Sequence, residues 1–296
     1  MLKLDPKKVR KGKPIGLPYP GSKKKISKKI VEIIKQNFGS EKTVYDLFGG
    51  GGAVSIECAL NGIDVVYNDY DKNIVNALKR SFELNREQLK NLVVSRERFL
   101  EIRDKQAYTA DDVLILLVNS FGNNCKDYLY SKESSDFKFN VAKKIMFDDD
   151  IIGGYKKSPS YLNLKECVRI QQLERLNVLQ RIQNVSQVNR VSQHRILTNH
   201  IKNLSYDCYR ELSGKIIYLD PPYENAKQPY LLKHTFDSQK LYDWAYEMSK
   251  NNIVIMSSYH IYDDRFKCVY EFSNAHSSYA GGSDKSRVER LFMARS

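Results

Sequence analysis

The chain has 296 residues, 42% of them hydrophobic, and 48 Lys plus Arg against 35 Asp plus Glu, for a net charge of +13. This is enough to bury a full core as one large domain or one domain plus an insertion. No run of about 18 apolar residues occurs, the start Met1-Leu2-Lys3-Leu4-Asp5-Pro6 lacks a signal-peptide stretch, and the five scattered cysteines form no Cys-x-x-Cys pair. A membrane span, secretion, a disulfide framework and a zinc site are disfavoured, and a cytoplasmic protein is expected. The basic excess gathers at Lys7–Lys13, Lys23–Lys25 and Lys156–Lys157, which favours a polyanion partner over a merely solvated basic face.

In chain order, residues 1–21 read as a basic, Pro/Gly-rich extended arm. Ile26, Ile30, Ile33 and Ile34 recur at helical spacing, so Ser22–Asn37 reads as an amphipathic helix with Ser22 as its N-cap. Thr43–Phe48 reads as a strand, Gly49–Gly52 as a tight loop, Ala53–Leu60 as a helix and Asp64–Asp69 as a second strand, together the first βαβ unit of a parallel sheet. Helical character dominates from Asp71 to Leu100. Residues 101–194 then turn polar and aromatic around one helix from Leu162 to Ile182. Strand signals return at Arg195–Thr198, Lys215–Leu219 and Ile253–Ser257, with a helix from Ser238 to Lys250 between the last two. Lys267–Phe272 and Arg287–Met293 read as a closing antiparallel hairpin. The division is therefore an arm at 1–21, an α/β domain from 22–100 and 195–296, and an inserted domain at 101–194.

The strand Ile216-Ile217-Tyr218-Leu219 ends abruptly in Asp220-Pro221-Pro222-Tyr223. Proline removes a backbone donor and restricts its predecessor, so strand gives way to rigid loop. Such a loop holds the Asp220 carboxylate, the Pro221 carbonyl and the Tyr223 ring in fixed relation, two acceptors beside a flat ring, which suits a planar group carrying an amino function. An ordinary strand-ending turn is the competing account. Gly49–Gly52 lack the dinucleotide and Walker spacings, so phosphate binding is not indicated. Asp69, at the end of the next strand, can accept both hydroxyls of a ribose, and a ribosyl cofactor fits the pair.

Together these residues resemble the DNA adenine methyltransferases of the Dam-type D12 class, alpha group. The likeness rests on Tyr19-Pro20-Gly21-Ser22-Lys23, on Asp46-Leu47-Phe48-Gly49-Gly50-Gly51-Gly52 with Asp69, on Asn119-Ser120-Phe121-Gly122-Asn123-Asn124 followed by Phe139-Asn140-Val141, and on Asp220-Pro221-Pro222-Tyr223. It implies a mostly parallel seven-stranded Rossmann-like sheet with an inserted helical and hairpin DNA-recognition domain. It implies S-adenosylmethionine, released as S-adenosylhomocysteine, at Tyr19, Gly21, Lys23, Asp46, Phe48, Gly49, Gly51, Asp69, Asn199 and Asp220, with no metal. It places catalysis on Asp220, Pro221, Pro222 and Tyr223, and the target at the N6 amino group of an adenine flipped out of double-stranded DNA.

DNA contacts are expected from Asn123, Asn124, Tyr128, Lys156, Lys157, Lys285 and Arg287. The protein is expected to be bacterial or phage-encoded and a monomer in solution, with a dimer on DNA and a cognate restriction enzyme left open. The chain departs from the family pattern at Lys143–Gly154, which carries the acidic run Asp148-Asp149-Asp150, and in its basic arm. Two further readings stay open: methylation of RNA or of a protein amide, where Asn more often stands in place of Asp220, and a catalytically silent DNA-binding accessory protein. Cytosine C5 methylation is disfavoured because no Pro-Cys nucleophile occurs.

Overall fold

The β-branched run Val44–Asp46 (β1) pairs in parallel with Val65–Asn68 (β2) on one side and with Ile216–Leu219 (β4) on the other. The computed structural model describes residues 1–129, 131–167, 179–194, 200–223, 236–276 and 288–295. Ile201–Lys202 (β3) extends the sheet beyond β2, and Ile253–Ser258 (β5), Val288–Ala294 (β7) and Phe266–His276 (β6) extend it beyond β4. The order β3-β2-β1-β4-β5-β7-β6 gives a seven-stranded sheet, parallel through β5 and antiparallel at β7. This is the α/β, Rossmann-like sheet expected from the sequence. The terminal hairpin forms in a particular way, because β7 inserts between β5 and β6.

Strand alternation sorts the central residues onto two faces. Leu47, Ile217, Leu219, Val254, Met256 and Phe292 point to one face, where Leu241, Trp244, Ala245 and Met248 of the helix Ser238–Met248 cover them. Full burial of each such side chain stabilises the fold by about 1.5–3 kcal/mol. Asp46 points to the other face, where Ser55 of Ala53–Leu60 (α2) meets it. Ser27–Phe38 (α1) packs beside α2 through Ile30, Val31, Ile33 and Ile34.

Helix α1 begins at Ser27, later than its periodicity suggests, and Ser22 makes no side-chain cap. Lys23–Lys25 instead form a 3-10 turn, closed by the Ile26 amide on the Lys23 carbonyl. The turn detaches Lys23 from the helix surface. The basic N-terminus is tethered, with a 3-10 turn at Pro6–Lys8: Leu2 donates its amide to Val269, Lys3 and Asp5 donate theirs to Asn37 and Gln36 of α1, and Arg10 pairs with the buried Glu57 of α2 at 2.6 Å.

The chain divides into two compact units, one of residues 1–15, 21–75 and 196–296 that holds the sheet, the other of residues 16–20 and 76–195. Residues 76–100, assigned from sequence to the α/β domain, thus cluster with the insertion. The second unit contains the helices Arg86–Lys90 (α4), Arg96–Arg103 (α5), Ala110–Asn119 (α6), Lys132–Phe147 (α7), Pro159–Cys167 (α8) and Gln180–Ser192 (α9), after Lys72–Ser81 (α3), in which the division falls. Its core includes Phe99, Leu114, Leu117, Ile145, Ile182 and Val185. The family-type hairpin between the Asn-x-x-Gly-x-Asn and Phe-Asn-Val segments is not formed among the described residues. Phe139–Val141 lie within α7, and the antiparallel pairing found there is a single bridge between Ser120 and Tyr128.

Two members of the acidic run that interrupts the pattern are held inside this unit: Asp149 accepts from the amide and hydroxyl of Ser160, and Asp150 pairs with Arg86 and Lys90. The helix expected over Leu162–Ile182 falls partly on residues 168–178 and the strand Arg195–Thr198 on residues 195–199, outside the described residues. Among the described residues, no helix is long and apolar enough to cross a membrane.

Candidate active site

Connections leave β1 toward β2 on one side while β4 lies on the other, so the carboxyl ends of β1 and β4 flank a switch point of the sheet, where ligands of such folds bind. Both sequence motifs sit at this edge. The glycine loop after β1 is built on Tyr67 of β2: the Tyr67 hydroxyl donates to the Gly50 carbonyl at 2.8 Å, and the Gly49 amide donates to the Asn68 carbonyl at 2.8 Å. A Cβ on Gly49 would stand 2.3 Å from Cε2 of the Tyr67 ring, so no larger residue fits. Gly50 and Gly52 take φ of 46° and 74°, conformations that glycine alone adopts cheaply. Gly51 is buried within the same turn.

Two carboxylates brace this loop. Asp69 accepts the Gly50 amide at 2.8 Å and the Asp71 amide at 2.9 Å, which leaves acceptor sites on its oxygens. Asp46 accepts the Ser55 hydroxyl at 2.6 Å. Burial pushes Asp46 up to about 7, against the Ser55 hydrogen bond, and pushes Asp69 up to about 6. Phe48 is half-buried, stacked on Tyr206 at 5.7 Å and edge-on to Phe236 at 5.8 Å.

The end of β4 carries the second cluster. Asp220 is 16% exposed and its Oδ1 lies 2.7 Å from Nζ of Lys23, whose ammonium also sits 4.9 Å from the centre of the Tyr223 ring. The 3-10 turn at Lys23–Lys25 positions it there, and Gly21, at φ 69°, offers its carbonyl to the same ammonium. Tyr223 Oη lies 2.7 Å from Glu289 Oε2, 3.2 Å from Asp220 Oδ1 and 3.3 Å from Ser257 Oγ. Asp220 and Glu289 both stand as acceptors for its single proton, Glu289 being the nearer. The ring packs edge-on against Tyr259 at 4.7 Å, and Arg290 donates to the Tyr259 carbonyl. Burial pushes Asp220 up to about 6; the Lys23 ammonium pulls it down and the Glu289 carboxylate pushes it up. Pro221, Pro222, Tyr223, Phe236, Tyr242 and Ser257 line a shallow recess beside this cluster.

Lys23, Gly21, Asp46, Phe48, Gly49, Gly51, Asp69 and Asp220–Tyr223 thus all fall in the sheet-bearing unit, and Lys23 is directly bonded to Asp220. Tyr19 belongs to the other unit. Asn199, Lys285 and Arg287 lie outside the described residues. In the helical unit, Lys156 and Lys157 are exposed on a 3-10 turn anchored by the buried Tyr155.

Asn123, Asn124 and Tyr128, expected at bases, have partners within their own unit. Asn123 donates to the Leu117 carbonyl, Asn124 is buried and holds the Lys126 and Asp127 amides, and Tyr128 is 6% exposed with its hydroxyl on the Val94 carbonyl. The Arg181 guanidinium sits 4.7 Å from the centre of the Tyr128 ring. These side chains shape the loop from within. Glu289, Ser257 and Tyr259 were missed in the sequence. For Glu289 a signal existed: in Val288–Met293 it shares a strand face with the buried Leu291, so an acid points inward.

A seven-stranded sheet of this order, with a glycine loop and the acid Asp69 after β1 and β2 and an Asp-Pro-Pro-Tyr turn after β4, defines a Rossmann-like methyltransferase domain. The chain belongs to the D12 class N6 adenine-specific DNA methyltransferase family, which matches residues 19–280, and so is an S-adenosylmethionine-dependent adenine-specific DNA methyltransferase. No curated protein shows a significant match to the chain.

Proposed function

We propose that this chain methylates the N6 amino group of an adenine flipped out of double-stranded DNA at a specific sequence, with Asp220, Pro221, Pro222 and Tyr223 as the catalytic turn. The observation that carries this reading is the largely buried Asp220 carboxylate, paired with Lys23 and set beside the Tyr223 ring at the carboxyl edge of β4.

The residues at the switch point fit S-adenosylmethionine. Asp46, Asp69 and Asp220 are crowded acids, each pushed upward by burial, so the site favours a cationic ligand. Asp69 retains acceptor capacity for ribose hydroxyls, the glycine loop brings backbone close without side-chain bulk, and Phe48 offers an apolar wall. Gly21, Lys23, Asp46, Gly49, Gly51 and Asp220 complete the cradle in this reading. When bound, the cofactor supplies an electrophilic methyl on a sulfonium and leaves as S-adenosylhomocysteine.

The protein's own part is positioning and charge. The adenine amino lone pair is delocalised into the ring and is a weak nucleophile. Hydrogen bonds from that amino group to the Asp220 carboxylate and the Pro221 carbonyl favour its pyramidal form and aim the lone pair. Tyr223 gives the base a ring to lie on. Asp220, at about 6, is ionised at neutral pH yet basic enough to receive the proton that the methylated nitrogen sheds. Lys156 and Lys157 serve phosphates, which position DNA without reading it.

The test is expression in cells lacking adenine methylation, followed by sequencing of modified bases. Wild type should leave N6-methyladenine at one motif. Asp220→Ala should leave none while remaining folded in a thermal melt. Absence of methyladenine with wild type, or normal modification by Asp220→Ala, would overturn the proposal.

A further inference from the structure

The acid on β7 has no part in the chemistry described so far. Glu289 is 8% exposed. It accepts the Tyr223 hydroxyl at 2.7 Å, lies 3.7 Å from Lys23 Nζ, and has Ser257 Oγ at 3.4 Å. A buried carboxylate is costly unless paired and hydrogen-bonded, and here both compensations come from the proposed catalytic cluster. Asp220 and Glu289 share one ammonium. Glu289 competes with Asp220 for the Tyr223 proton, at 2.7 Å against 3.2 Å, which weakens that hydrogen bond to Asp220 and leaves its oxygens acceptor capacity for an incoming amino group.

We propose that Glu289 is a positioning residue for methyl transfer: it anchors the Tyr223 ring through its hydroxyl and shares Lys23 with Asp220, so setting how strongly Asp220 holds negative charge. The inference rests on the methyltransferase assignment of Asp220 and Tyr223 and adds a residue to it. The groups facing Asp220 are Lys23 from the 3-10 turn, Glu289 from β7, Tyr218 from β4, Tyr223 from its own loop and Asp46 from the end of β1. Of these, Lys23 and, more weakly, the Tyr223 hydroxyl favour the ionised carboxyl, and Glu289 opposes it.

Two variants of the full chain separate tether from charge. Glu289→Gln keeps an acceptor for the Tyr223 hydroxyl and loses the charge, whereas Glu289→Leu loses both. The measurements are single-turnover methyl transfer to duplex DNA against pH, and the titration of carbon-13-labelled aspartate by NMR. In both variants the acidic limb of the rate profile and the Asp220 titration should move down by roughly 0.5–1 pH unit, as a like charge has gone. In Glu289→Leu the plateau should also fall roughly tenfold to a hundredfold, the cost of a misplaced reacting group. A residue that only stabilised the strand would move neither limb nor titration. Wild-type limb and titration in both variants, or a wild-type plateau in Glu289→Leu, would overturn the inference. Should Glu289→Leu fail to fold, Glu289→Gln decides alone. A wild-type chain that transfers no methyl group refutes the functional assignment instead, and the Asp220 titration then still decides the coupling.

Discussion

Replacing Lys23 with Met removes the ammonium 2.7 Å from Asp220 and keeps much of the side-chain length. Asp220 stands at about 6 because burial pushes it up and Lys23 pulls it back. At pH ~7.5 that leaves about 97% of it ionised, and loss of a close opposite charge raises a carboxyl by about one to three pH units, which cuts the ionised fraction to between about 75% and about 3%. The expected outcome is a methyl-transfer profile whose acidic limb moves from about 6 toward 7–9, with activity regained at high pH.

Stability should follow the same titration. The folded-state value of Asp220 lies above the unfolded one of about 3.9, so its contribution is fully present below about 4 and lost as pH rises through the folded value. Lys23→Met raises that value further, so its melting temperature should drop below wild type above about pH 6, the gap widening through 7–9 by about 1.4 kcal/mol for each tenfold rise in proton affinity. Single-turnover rates and thermal melts across this range test both statements. A rate lowered equally at every pH, with weakened S-adenosylmethionine binding and an unmoved limb, would refute the charge argument and return Lys23 to the cofactor pocket alone.

Gly49→Ala should cost about 2–4 kcal/mol, from overpacking against the Tyr67 ring plus loss of the Tyr67–Gly50 hydrogen bond. A thermal melt and a cofactor titration should both register it, and an unchanged melt would show that the loop relaxes freely. Lys156→Ala combined with Lys157→Ala should weaken binding to all duplex sequences alike. The slope of log binding constant against log salt should flatten by about 0.9 for each phosphate that is no longer neutralised. An unchanged slope would place the pair away from DNA.

Strands β1, β2, β4 and β5 were legible because each is a short apolar run bounded by breakers, and because the glycine loop between β1 and α2 marks a βαβ unit; the two-residue β3, Ile201–Lys202, has no such run and was not read from the sequence. The start of α1 was not, since Lys23–Lys25 carry nothing in their local pattern that demands a 3-10 turn; the turn is explained by what Lys23 reaches, the distant Asp220. The helical unit was the least legible. Its Asn, Tyr and Phe-Asn-Val segments matched a family order, yet Asn124 and Tyr128 are spent on loop and core, and Phe139–Val141 are absorbed into α7. Short polar motifs do not reveal whether their side chains face solvent or their own backbone.

The catalytic turn itself was readable as residues but not as electrostatics. Asp220-Pro221-Pro222-Tyr223 identifies two acceptors and a ring, and by itself it says nothing of where the protons stand. That is decided by Lys23, from a turn near the N-terminus, and by Glu289, from a strand near the C-terminus, at 2.7 Å from Asp220 and from Tyr223 respectively. The two carry opposite charge and act on one carboxyl. Removal of the lysine should therefore move the acidic limb up and neutralisation of the glutamate should move it down, a pair of opposite displacements that a general loosening of the site cannot produce.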